Sequence, residues 1–214
     1  MKNRKQLLHL HKNRKFAGVL FILTIVAVSM GMTGKQFSKA EYVKIPQQEN
    51  DSLASVQAFK KVYEVLMHPR CMNCHPAGDI PLQGDDSHVH SMKPRRGKDG
   101  KGLYAMKCAN CHQNTNTPGK HAPPGNPEWH LPPADMKMVF QGRSASELAK
   151  QLVDKSKNGN KSIEDLIEHA EDTLVKAGWN PAEGLSLPPY SHEEWKEAWL
   201  TWLENGAYAP ADSE

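Results

Sequence analysis

Cys71-Met72-Asn73-Cys74-His75 and Cys108-Ala109-Asn110-Cys111-His112 decide how this chain is read. Each is a C-x-x-C-H run, and together they use all four cysteines of the 214 residues. Two thiols three positions apart on a tight, mostly helical turn can each add S–H across one vinyl group of the same porphyrin. The histidine that follows then lies under the ring, where it ligates the iron. The pattern therefore points to two covalently bound haem c groups, with Cys71, Cys74, Cys108 and Cys111 as attachment points and His75 and His112 as proximal iron ligands. A four-thiolate zinc site or two disulfides would use the same cysteines. Neither requires a histidine directly after the second cysteine of each pair.

Only 32 residues separate His75 from Cys108. Domains usually have at least about 50 residues, so both haems are expected in one fold rather than in a tandem of two. The intervening stretch 76–102 is rich in Pro, Gly and Asp and reads as a long loop organised around a haem edge. Its basic cluster, Lys93, Arg95, Arg96, Lys98 and Lys101, suits haem propionates, a docking surface or a solvated loop. A second loop, 113–143, carries Pro118, Pro123, Pro124, Pro127, Pro132 and Pro133, and within it Trp129-His130-Leu131 and Met136 stand close together.

Helical patterns flank these loops. Leu53, Val56, Phe59, Val62, Tyr63, Leu66 and Met67 recur at three- and four-residue steps, predicting a helix from about Asp51 to just before Pro69. Ser144-x-x-Glu147 and Ser191-x-x-Glu194 are capping boxes, the first opening a helix to about Val153 and the second one striped with Trp195, Trp199, Trp202 and Leu203. Between them, Ile163, Leu166, Ile167, Ala170, Leu174 and Val175 predict one helix that stops at Gly178. No run with strand alternation competes. The expected fold class is all-α: a cytochrome c-like helical domain whose long Pro/Gly loops wrap two covalently bound haems.

The N-terminus reads differently. Residues 1–15 hold six basic side chains and no acid, and residues 16–32 form an apolar run of 17. This is a membrane anchor, or the core of a signal peptide cut after Ala27-Val28-Ser29, with the chain beyond Gly34 on the periplasmic side of the inner membrane. Residues 1–34 are thus anchor or signal, 35–50 a linker and 51–214 the dihaem domain. The net charge of +3 comes from that basic segment: removing its six from 27 leaves 21 basic against 24 acidic residues. Such a balance does not suit a nucleic-acid binder. Apolar residues make up only 38% of the chain, so two porphyrins would supply core bulk that the side chains lack, and the apoprotein is expected to fold poorly.

The distal iron ligands stay open at this level. His90 and Met92 in the first loop compete for one haem, and Met136 and His169 for the other; His130 and Met138 are further candidates, with His68 weaker. His/Met ligation would give a higher potential than bis-His. His169 has Asp172 three residues on, so a local hydrogen bond is an equally ordinary role for it.

The run from His68 to Asp79, the His90-x-Met92-x-x-x-Arg96-Gly97-x-x-Gly100 stretch, the second C-x-x-C-H, Trp129-His130-Leu131-Pro132-Pro133 and His169-x-x-Asp172-x-x-Val175-x-x-x-Trp179-Asn180-Pro181 together resemble bacterial dihaem cytochromes c of the type labelled isoquinoline 1-oxidoreductase cytochrome-containing subunit. The resemblance spans about residues 55–210. It implies an electron-transfer partner for a molybdenum hydroxylase-like or other dehydrogenase, with a downstream acceptor. Ala149 and Ala209 stand where members of that type carry further cysteines, so no disulfide between those positions is expected. The residues themselves favour an electron carrier, since no Gly-rich nucleotide loop or acid pair stands out. The competing readings are a dihaem peroxidase-like enzyme and a haem-based gas sensor, each with one open iron position.

Overall fold

The computed structural model describes residues 47–212. The expected anchor or signal segment, 1–34, and all but the last four residues of the expected linker lie outside the described residues. Among those described, no helix is long and apolar enough to cross a membrane.

Helix α1 runs Gln47–Leu66 and is already helical four residues ahead of the expected start at Asp51. The buried face of α1 holds Phe59, Val62, Val65 and Leu66, and it packs against α6, His192–Glu204, through Trp195, Trp199, Trp202 and Leu203. Phe59 and Trp202 meet with ring centroids 4.6 Å apart. Fully burying side chains of this size stabilises by roughly 1.5–3 kcal/mol each. Ser55 sits in the same core without an orphaned hydroxyl: it donates to Trp202 O at 2.9 Å and accepts from Tyr208 N at 3.0 Å, tying the C-terminal residues to α1.

Helices α3, Ala145–Val153, and α4, Ile163–His169, close the core with Leu148, Leu152 and Leu166. Ser144 and Ser191 both form the capping boxes expected of them, and Ser162 forms another with Asp165. The single helix expected from Ile163 to Gly178 is broken. It ends at His169 and resumes as α5, Thr173–Lys176, followed by a 3₁₀ turn, Ala177–Trp179, that contains Gly178. At the break Asp172 is extended (φ −58°, ψ 141°), and its carboxylate takes the His169 imidazole instead of capping α5. Glu171, beside it, binds both Lys176 and Lys196.

Residues 73–143 contain no α-helix beyond the end of the first motif's turn. They carry two antiparallel ladders of two residues per strand: β1 (Leu82–Gln83) with β2 (His88–Val89), and β3 (Gly102–Leu103) with β4 (Met106–Lys107). Ladders this short leave no alternation in the sequence to read. The two loops are stitched to each other, Leu131 N donating to Gly100 O at 3.0 Å and Ala134 N to Lys98 O at 3.2 Å. Gly100 has φ +75°, and a Cβ there would lie 1.8 Å from Leu131 O, so only glycine lets the loops meet.

Arg96 departs from the surface cluster in which the sequence groups it. Its side chain is 1% exposed; it donates through one terminal nitrogen to Pro132 O at 2.5 Å and through the other to Gly78 O at 3.1 Å. Its Nε lies 3.8 Å from the Asp79 carboxylate, which also pairs with Lys137 at 2.8 Å. The other four basic residues of that cluster are exposed.

Candidate haem-binding site

The first C-x-x-C-H begins on α2, Pro69–Met72, a single turn entered directly from α1. His68 caps it, Nδ1 accepting from Arg70 N at 3.3 Å, and Pro69 occupies the first turn, where a missing N–H costs nothing. Cys74 N donates to Cys71 O at 3.2 Å, so the two thiols project from neighbouring points of one turn. The β3–β4 hairpin delivers the second motif, on a 3₁₀ turn at Cys108–Asn110, with His112 N bonded to Cys108 O at 2.9 Å. His68, already engaged as a cap, is not on the cavity wall described next.

Both motif histidines are held in the same way. His75 donates Nδ1–H to Met138 O at 2.7 Å and stacks on Phe140, centroids 3.8 Å apart and planes within 6°. His112 donates Nδ1–H to Pro124 O at 2.7 Å and stacks on Trp129, centroids 4.2 Å apart and planes within 8°. A carbonyl on Nδ1 fixes the tautomer and leaves the Nε2 lone pair free, which is the usual outer-shell arrangement of a metal-binding histidine. Burial pushes His75 down to about 4, against the opposing pull of the Met138 bond, and lowers His112 in the same sense. Both shifts favour the neutral ring, the form in which a histidine binds a metal.

Both rings and all four thiols line one cavity of about 970 Å³. Leu66, Leu82, Leu131, Leu152, Leu166, Trp195 and Trp199 supply much of its remaining wall. Burial raises the Cys71 thiol to about 12 and the Cys74 thiol to about 11, and Cys108 is raised too; the nearby Cys108 adds to the rise at Cys74. Cys111 is exposed, placing the second motif nearer the surface. None of the four forms a disulfide, and among the described residues no three His, Cys, Asp or Glu side chains converge as metal donors.

Two haem groups fit what is present. The cavity wall is mainly apolar and partly open to solvent, so an apolar occupant would take much of that wall out of water. Arg70 Nε and Trp195 Nε1 are buried donors without partners, and both residues lie on the cavity wall. An occupant that is mostly apolar but carries acceptor groups, as a porphyrin with its propionates does, answers both features.

The remaining sequence candidates, His90, Met92, His130, Met136, Met138 and His169, all reach this cavity, although in different states. His169 gives Nδ1 to Asp172 Oδ2 at 2.5 Å, keeping Nε2 free, and is close enough to His75 to lower its proton affinity. Met136 is half-buried on the wall. Met138 already accepts from Gln151 through its sulfur at 3.2 Å and holds His75 through its carbonyl. His130 is tied back to Glu128 O, and Met92 is 64% exposed. His90 faces His112, ring centroids 6.4 Å apart.

Several contributors escape sequence reading. The carbonyls of Met138 and Pro124 are backbone atoms that any residue could offer. Phe140 carries no mark beyond being aromatic, whereas Trp129 lies in a stretch that already draws notice. His121 also lines the cavity, from a Pro-rich loop that does not single it out. No family model, curated protein or solved structure matches this chain.

Proposed function

We propose that the chain is a dihaem c-type cytochrome that relays electrons between an exported or membrane-bound oxidoreductase and a downstream acceptor. The observation that carries the reading is the twice-built histidine: in each C-x-x-C-H the imidazole is pinned by a backbone carbonyl at 2.7 Å and backed by an aromatic ring, on the wall of one shared apolar cavity. A bound haem c would supply reversible one-electron chemistry at its iron.

The residues of the chain do the holding. Cys71 and Cys74 would anchor one group and Cys108 and Cys111 the other, His75 and His112 would offer Nε2 to the irons, and the leucines and tryptophans of the wall would exclude water. His169 rather than Met136 is the proposed second ligand for the group held by His75, because Asp172 would orient it as a carboxylate orients a metal-bound histidine. The resemblance to dihaem subunits of molybdenum hydroxylase-like enzymes supplies the proposed donor class. The basic, apolar N-terminus supports a location on the periplasmic side of a bacterial inner membrane, anchored through residues 16–32.

Intact-mass measurement of protein matured alongside a haem-attachment system tests this reading. Two haem additions per chain are expected, falling to one in the Cys71→Ala/Cys74→Ala variant. A mature chain carrying none, or holding zinc instead, overturns it.

A further inference from the structure

Resting on the two-haem reading, we propose that His90 is the second axial ligand of the iron bound by His112, so that this iron is closed by imidazoles on both sides. Their ring centroids are 6.4 Å apart, with planes at 64°. That spacing lies within the edge-to-face range of two rings. It matches what a shared metal demands: two imidazoles bound through nitrogen at about 2 Å on opposite sides of one ion stand with centroids roughly 6–6.5 Å apart. Both rings line the same cavity. His112 has its Nδ1 committed to Pro124 O, so Nε2 is its coordinating nitrogen.

His90 is set in place by its backbone. It directly follows β2, its N–H donates to Pro81 O at 2.9 Å, and its carbonyl accepts from Lys93 N at 2.8 Å. The β1–β2 pairing therefore fixes which residue of the loop meets the ring. Met92, two positions on, is 64% exposed, and its amide lies 3.2 Å from His90 Nδ1. Coordination through His90 Nε2 puts the proton on Nδ1, so this long contact is given up on ligation. One long neutral hydrogen bond is a small loss beside the metal bond that would replace it. His88, on the same hairpin, also lines the cavity, but its Nδ1 is paired with Asp86 at 2.6 Å.

The closed position distinguishes this chain from a haem protein that binds a substrate or a gas at its second site. The haem-loaded protein and its His90→Ala, His90→Met and Met92→Ala variants would be compared by electron paramagnetic resonance, near-infrared magnetic circular dichroism and carbon monoxide titration, with haem number counted by intact mass. His90→Ala should turn one of the two irons high-spin and take up one equivalent of carbon monoxide per chain. His90→Met should keep that iron low-spin but add a sulfur-to-iron charge-transfer band, and Met92→Ala should leave the spectra unchanged. Low-spin, carbon monoxide-inert irons in His90→Ala with both haems attached would overturn the ligand assignment alone. High-spin iron appearing in Met92→Ala instead would also overturn it. Fewer than two haems on the unaltered chain would overturn the reading on which it rests.

Discussion

Replacing Arg96 by methionine should lower the thermal stability of the loaded protein by an amount that its contacts set. The guanidinium is buried and forks to two carbonyls from different loops, Pro132 O and Gly78 O, with the Asp79 carboxylate beside it. Methionine fills much of the volume but leaves both carbonyls without their donor and the Asp79 charge with one fewer partner. Losing two charge-assisted hydrogen bonds at roughly 1.5–3 kcal/mol each costs about 3–6 kcal/mol, the half-exposed Asp79 adding little. At about 2–4 °C per kcal/mol for a chain of this size, the midpoint should fall by roughly 6–24 °C. Lysine keeps the charge near Asp79 but cannot reach both carbonyls, so Arg96→Lys should recover only part of the loss. Circular dichroism melts on the two variants decide the matter. A methionine variant within about 2 °C of the parent, or a lysine variant equal to it, would refute the view that this side chain joins the loops.

Gly100→Ala should be at least as damaging, because its Cβ meets Leu131 O at 1.8 Å and its φ is +75°; hydrogen exchange at the Leu131 amide should rise well before the global transition. Glu171, held down to about 2 by its bonds to Lys176 and Lys196, contributes stability that is complete above its ordinary 4.5 and is lost as pH falls from there towards 2. Melting temperatures measured across that window should fall less steeply in Glu171→Gln than in the parent, and parallel curves would remove Glu171 from the account. His169→Met should move one low-spin iron to a mixed nitrogen and sulfur signature while Met136→Ala leaves both unchanged; the reverse result would transfer the proposed ligand role opposite His75 to Met136.

The helical end of the molecule was legible because each of its signals is local. The apolar spacing of α1, the tryptophan stripe of α6 and the boxes at Ser144 and Ser191 all act within a few residues. The break after His169 was not legible, since the apolar positions stay in phase through it; what ends α4 is the turn in which Asp172 engages His169 and Glu171 gathers two lysines from different elements. The motif residues could be read by spacing alone, but their partners could not. Arg96 looks like its exposed neighbours until Gly78, Asp79 and Pro132 are placed round it. His90 and Met92 stand two apart in one loop, and only the Leu82–Val89 pairing of the hairpin decides which of them is set against His112.

The two histidine sites are alike in geometry and unlike in topology, and the difference has a measurable consequence. His112 finds its carbonyl 12 residues away and its aromatic ring at Trp129, all within one loop. His75 finds its carbonyl 63 residues away, at Met138, so the chain that completes the first site must first pass through the second. Loop-closure entropy alone couples them weakly: shortening a closure of 63 residues by 12 is worth only about 0.2 kcal/mol on a logarithmic scale. The stronger coupling is structural, because the stitches Leu131–Gly100, Ala134–Lys98 and Arg96–Pro132 lie between the second site and Met138. Loosening residues 113–135 should therefore loosen the segment that holds His75, whereas loosening the first motif leaves Pro124 and Trp129 in place. Haem occupancy is then expected to be asymmetric: the Cys71→Ala/Cys74→Ala chain retains close to one haem, and the Cys108→Ala/Cys111→Ala chain clearly less than one. Equal occupancies in the two variants would mean that the sites form independently and that the nested order of the chain has no bearing on how they are built.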